Sequence, residues 1–76
     1  MVTLEIQLTS IKDVKKFVAI TSKYPFDIEL VSGRYVVDAK SVMGMLSLDF
    51  AAPISVEIHT DKCKEFLSEI KPFMIH

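Results

Sequence analysis

A single cysteine, Cys63, is the only thiol in this chain. One thiol forms no internal disulfide and no thiolate cluster, which points to a reducing compartment. Glycine is almost as scarce, with two residues in 76. That excludes a glycine-rich loop cradling a nucleotide. Neither sign of charge dominates: nine Lys and Arg stand against ten Asp and Glu, a net charge of -1. A protein gripping nucleic acid directly through its phosphates is excluded, and so is a polybasic membrane-surface module. Long hydrophobic runs are missing as well. The longest nearly apolar stretch, Val42 to Leu48, falls far below the roughly 20 residues of a membrane span. The first residues, Met1 to Leu8, carry no basic region, and Glu5 and Gln7 interrupt their apolar positions. They do not read as a signal peptide, and the expected location is cytoplasmic.

What is present suits one small domain spanning residues 1–76. Half the residues are hydrophobic and a quarter charged, so the chain is not a disordered tail. At this length only about 60–65% of the unfolded surface becomes buried, which demands a compact core.

Residues 2–8 alternate strictly, with Val2, Leu4, Ile6 and Leu8 facing one way and Thr3, Glu5 and Gln7 the other. Period two with one apolar face predicts a half-covered strand. The pattern then turns helical: Ser10 precedes Ile11, Val14, Phe17, Val18 and Thr21, and Ser10 with Asp13 resembles a capping box. Pro25 closes the segment. Phe26, Ile28 and Leu30 alternate with Asp27 and Glu29 as a second strand, Ser32-Gly33 signals a hairpin turn, and Arg34 to Asp38 forms a third strand with Tyr35 and Val37 on one face. The stretch Lys40 to Leu48 predicts a short helix capped by Ser41. Pro53 opens a fourth strand with Ile54, Val56 and Ile58 inward. Thr60-Asp61 is the expected start of a last helix, which carries Cys63, Phe66, Leu67 and Ile70 on its buried stripe and ends at Pro72. The order is β-α-β-β-α-β-α. Three one-sided helices and a sheet with one polar face pack most economically as two layers, an α+β fold with one side of an antiparallel sheet left wet.

Few residues read as chemistry. No Ser-His-Asp set or paired carboxylates in a cleft can be assembled, so no enzyme and no cofactor are expected. His59 reads as a lone surface histidine without two further metal ligands, and His76 as a frayed end. Cys63 reads as a small core hydrophobe. Glu5, Glu29 and Glu57 share the wet face, which needs no function to be acidic.

The segment Lys40-Ser41-Val42-Met43-Gly44-Met45-Leu46-Ser47-Leu48, with Ser22-Lys23-Tyr24 upstream, resembles HPr, the histidine-containing phosphocarrier family of the bacterial sugar phosphotransferase system. The family's K-S-I-M-G-V-M-S-L run is matched at nearly every position. The similarity spans about Phe17 to Phe66, and the element order agrees throughout. It implies an open-faced sandwich: a four-stranded antiparallel sheet with three helices on one face.

One departure bears on function. The family carries its phosphoryl group on a histidine in a G-I-H-A-R-P-A context. Counting back without a gap from Ser22 gives Leu8-Thr9-Ser10-Ile11-Lys12-Asp13-Val14. Ser10 stands in the histidine's place, Lys12 in the arginine's and Asp13 in the proline's; no histidine precedes His59. A serine hydroxyl without a base is a poor nucleophile, and its phosphoester is too stable to pass on. Asp13 would also repel an incoming anion at the helix N-terminus. The expectation is a docking protein without phosphohistidine relay. For Ser10 and Thr9 themselves, capping is the stronger reading over phosphorylation.

The resemblance also implies that Ser41 matches the family's regulatory phosphorylation position, used by a dedicated kinase, with Lys40 or Lys12 nearby to favour the phosphate; capping alone would equally account for Ser41. It further implies an apolar partner-binding patch of Val42, Met43 and Leu46, flanked by Ile11 and Lys12. The alternative for these residues is core packing, above all for Met45. Two other readings stand beside docking: a catabolite-repression co-regulator switched at Ser41, and a structural module that forms a homodimer through the same patch.

Overall fold

The computed structural model describes residues 1–75; His76 lies outside the described residues. Strand β1 (Val2–Ile6) leads to helix α1 (Ile11–Thr21), then to the hairpin of β2 (Ile28–Ser32) and β3 (Tyr35–Asp38). A one-turn helix α2 (Val42–Met45), strand β4 (Ile54–Ile58), helix α3 (Lys64–Ile70) and a 3₁₀ turn (Lys71–Phe73) complete the chain. The four strands form one antiparallel sheet in the order β1-β4-β2-β3. The expected architecture is present, with three helices over one face.

The period-two strands explain this layering. Ile6, Ile28, Leu30, Ile54, Val56 and Ile58 are buried on the covered face. Val14 and Phe17 of α1, Met45 of α2, and Phe66 and Ile70 of α3 close over them. Phe17 meets Phe66 and Phe73 edge-on, at 6.4 and 5.8 Å between ring centres. Such pairs contribute about 0.5–1.5 kcal/mol beyond burial alone. The buried Thr21 hydroxyl lies 2.8 Å from the Ala39 carbonyl, which ties the end of α1 to the turn before α2.

Several boundaries differ from the sequence reading, each for a local reason. The β1 ladder ends at Ile6 opposite Ile54, because Pro53 has no N–H with which to extend it; Leu8 is nonetheless buried. Phe26 is not in β2: its ring packs on Tyr24 at 5.4 Å and Phe66 at 5.9 Å. The hairpin turn is Gly33-Arg34, one residue later than expected, since Ser32 still pairs with Tyr35. Gly33 takes the positive φ of 59° that this turn requires. Tyr35 shares a face with Val37 but is exposed. The last helix does not start at Thr60-Asp61. The Thr60 hydroxyl accepts from the Lys62 N–H at 3.1 Å, a local turn, and α3 begins only after Cys63 has entered the core. Beyond Pro72 the chain continues along β1. Gln7 N–H donates to the Phe73 carbonyl and Ile75 N–H to the Glu5 carbonyl, so the edge of β1 is partly covered.

Candidate site at the starts of helices α1 and α2

Ser10 is extended (φ -157°) and caps α1, its Oγ accepting from the Asp13 N–H at 3.2 Å. Asp13 does not close a standard box onto the Ser10 amide. Its Oδ2 accepts instead from Thr9, from the backbone N–H at 3.1 Å and from Oγ1 at 2.8 Å. These two bonds, with Lys16 and Lys12 nearby, hold the Asp13 carboxyl below its ordinary 3.8. The first turn of α1 therefore carries a fixed carboxylate at the end where backbone N–H groups would otherwise receive an anion. Among the described residues no base accepts a proton from Ser10 Oγ. Thr9 Oγ1 faces a carboxylate, but one whose lowered pKa makes it a weak base. Ile11 and Lys12 are exposed on the same turn.

Ser41 caps α2 in the same manner, its Oγ accepting from the Gly44 N–H at 3.1 Å. The glycine lets this turn lie close to β3: a Cβ on Gly44 would stand 3.3 Å from the Val37 Cβ. Lys40, one of the two lysines expected near a phosphate on Ser41, is engaged by its own neighbours. Its ammonium donates to the Tyr24 carbonyl at 2.7 Å and its N–H to Asp38 Oδ1 at 2.8 Å. Of the two lysines expected near Ser41, Lys12 alone has no hydrogen-bond partner among the described residues.

Helix α1 packs against α2. The residues of α2 divide sharply: Met45 is fully buried, whereas Met43 is 81% exposed, Leu46 42% and, on α1, Ile11 56%. Val42 is half-buried against the core, so it forms a rim more than an open surface. An α-turn this short cannot turn all its apolar residues inward, and Met43 and Leu46 are those left outside.

The Ser22-Lys23-Tyr24 segment is anchored to α3. Glu69 accepts from both the Lys23 ammonium and the Tyr24 hydroxyl. Hydrogen bonding from Lys23, then Tyr24, holds Glu69 below its ordinary 4.5, and the Glu69 contact pushes Tyr24 up to about 12. Sequence spacing gave no signal of this clamp, because its partners lie 45 and 46 residues apart.

His59 is far from an isolated surface group. Its Nε2 lies 2.6 Å from Glu29 Oε1 on the open face of the sheet, the face away from the helices. Its ring nitrogen, read from sequence as lacking two further ligands, has one carboxylate oxygen each of Glu29 and Glu57 within 4.8 Å. It does not enter the region between the starts of α1 and α2. No helix among the described residues is long and apolar enough to cross a membrane.

Comparison with known proteins agrees with this geometry. The family model described as "PTS HPr component phosphorylation site" matches residues 11–74; the match begins one residue after Ser10. The crystal structure of HPr-C-His from Thermoanaerobacter tengcongensis is similar, with a TM-score of 0.73 and 26% identity over 93% of this chain and 85% of that one. A phosphocarrier protein HPr from Bacillus anthracis str. Ames superposes equally well, with a TM-score of 0.73 and 20% identity over 97% of this chain and 96% of that one. No curated protein matches the chain.

Proposed function

The chain belongs to the HPr phosphocarrier family of the phosphotransferase system, and we propose that within it this protein docks partner proteins without relaying a phosphoryl group. One observation supports the reading: Ser10, which a gapless count back from Ser22 sets at the family's histidine position, caps α1 beside the fixed Asp13 carboxylate. A nucleophile for phosphoryl relay needs a basic, accessible nitrogen and an electropositive cradle for the transferred group. This turn offers a hydroxyl acting as acceptor, and an anion. The protein is then no enzyme and needs no cofactor.

Docking uses what remains at the surface. Ile11, Met43 and Leu46 present apolar area on adjoining helices, Val42 forms the rim, and Lys12 adds a positive charge. Methionine suits an adaptable contact surface. The partner is a protein of the phosphotransferase or carbon-regulation network with an apolar patch and an acidic rim to meet Lys12. Phosphorylation of Ser41 would place a dianion within this patch, which makes the co-regulator reading a modified form of the same docking face.

The test is a two-dimensional NMR titration of the labelled protein with the phosphoryl-donating enzyme that precedes HPr in the phosphotransferase system. Shifts confined to Ile11, Lys12, Met43 and Leu46, and abolished by Met43→Glu, support the reading. Binding elsewhere, or none to any member of the network, contradicts it.

A further inference from the structure

On the face of the sheet opposite the helices, the strand register places like charges side by side. Glu29 of β2 pairs directly with Glu57 of β4, and Asp38 of β3 continues the row beside Glu29. Carboxylates facing each other across adjacent strands repel and weaken a sheet. The usual remedy is a Lys or Arg between them. Among the described residues no Lys or Arg pairs with either glutamate; the Lys and N-terminal ion pairs are Met1–Asp61 and Lys23–Glu69. The Asp38 carboxylate is taken up by the Lys40 N–H. His59 lies two residues after Glu57 and so on the same face, with its Nε2 2.6 Å from Glu29 Oε1.

The geometry points to a divalent transition-metal site formed by Glu29, Glu57 and His59. One ligand atom from each lies within 4.8 Å of the others. Around an ion with bonds of about 2.0–2.2 Å, tetrahedral ligand atoms stand roughly 3.3–3.6 Å apart, so small rotations of the side chains suffice. The backbone supplies the rigidity. Glu29 and Glu57 are held opposite each other by the β2–β4 ladder, and the His59 N–H donates to the Asp27 carbonyl at 3.0 Å. On binding, His59 Nε2 and Glu29 Oε1 give up their mutual contact and both turn to the ion. Glu29 and His59 are 41% and 38% exposed in their side chains, which leaves the ion open to a water or an outside ligand. Imidazole with two carboxylates suits Zn²⁺ and its neighbours, whereas Mg²⁺ and Ca²⁺ prefer oxygen alone. The ion would replace repulsion at the centre of the sheet by a clamp between β2 and β4. This inference is independent of the docking role, since it concerns the other face.

The test titrates Zn²⁺ alone into the full chain, followed by calorimetry and by the imidazole resonances of His59. The expected result is one saturable site per chain, with shifted His59 signals and an affinity at least about tenfold weaker in His59→Ala and in Glu57→Gln. A His76→Ala variant should bind as the wild type does. Glu57→Gln removes one of the two facing carboxylates, so without metal it should melt no lower than the wild type, and Zn²⁺ should raise the melting temperature of the wild type and of His76→Ala more than that of Glu57→Gln. Absence of saturable binding overturns the assignment, as do unshifted His59 signals, binding lost in His76→Ala or an equal response to Mg²⁺. The His59 signals are read in the unaltered protein, so the outcome holds even if a variant fails to fold.

Discussion

The Asp13 carboxylate binds Thr9 twice, at its backbone N–H and at its hydroxyl, through one oxygen. This link joins the residue before the cap to the first turn of α1 and leaves a negative charge where the helix would best receive an anion. Its pH behaviour follows from the direction of the shift. Asp13 titrates below its ordinary 3.8 when folded, so its contribution to stability is complete above that value and is lost as the pH falls through the lower folded one. Asp13→Asn should therefore destabilise the protein at pH 7, and the gap to the wild type should narrow in urea denaturation as the pH is taken below 3.8.

The opposite sign applies to Tyr24. Its phenol is raised to about 12, chiefly by the hydrogen bond to Glu69. The contribution it makes is present below the ordinary value of 10 and disappears as the pH rises through about 12. Ultraviolet titration should show Tyr24 ionising near 12, and Glu69→Gln should bring it down toward 10.

Ser41 can be probed as a cap separately from any modification. Ser41→Ala removes the acceptor for the Gly44 N–H and should cost about 0.5–2 kcal/mol. Ser41→Asp keeps an acceptor of equal rank and should lie near the wild type. Urea midpoints, with unchanged slopes, measure both.

Met43 and Met45 are two residues apart and should behave in opposite ways. Met45 is fully buried, and Met45→Ala should cost about 2–5 kcal/mol. Met43 is exposed, and Met43→Glu should change stability by no more than about 0.5 kcal/mol while abolishing partner binding. Light scattering should give the same mass for the wild type and for the Met43→Glu, Leu46→Glu double variant. A mass halved by that variant would show that the face serves self-assembly.

The core of this fold was legible because strands and helices announce themselves locally. Val2 to Leu8 alternate, and Val14, Phe17 and Thr21 recur at helical spacing, so the two layers could be drawn before any contact was known. Helix starts were less legible. Thr60 and Ser10 carry the same kind of hydroxyl, yet Ser10 caps a helix and Thr60 closes a turn. The site was legible in part. Ser10 and Ser41 both cap, as their spacing implied. Lys40 engages Tyr24, and Glu69 clamps Lys23 and Tyr24, because long side chains choose partners through tertiary position. The Glu29–His59 contact depends on β2 lying next to β4. The positions of these residues on one face follow from alternation, but their meeting requires the strand order.

The account is tested most directly by incubating the protein with the phosphotransferase system's phosphoenolpyruvate-dependent donor enzyme and ³²P-labelled phosphoenolpyruvate, then dividing the label by its stability in acid. The prediction is that the chain stays unlabelled while an authentic phosphocarrier in the same mixture is labelled fully. Acid-labile phosphate on this protein, at His59 or any other nitrogen, would contradict it.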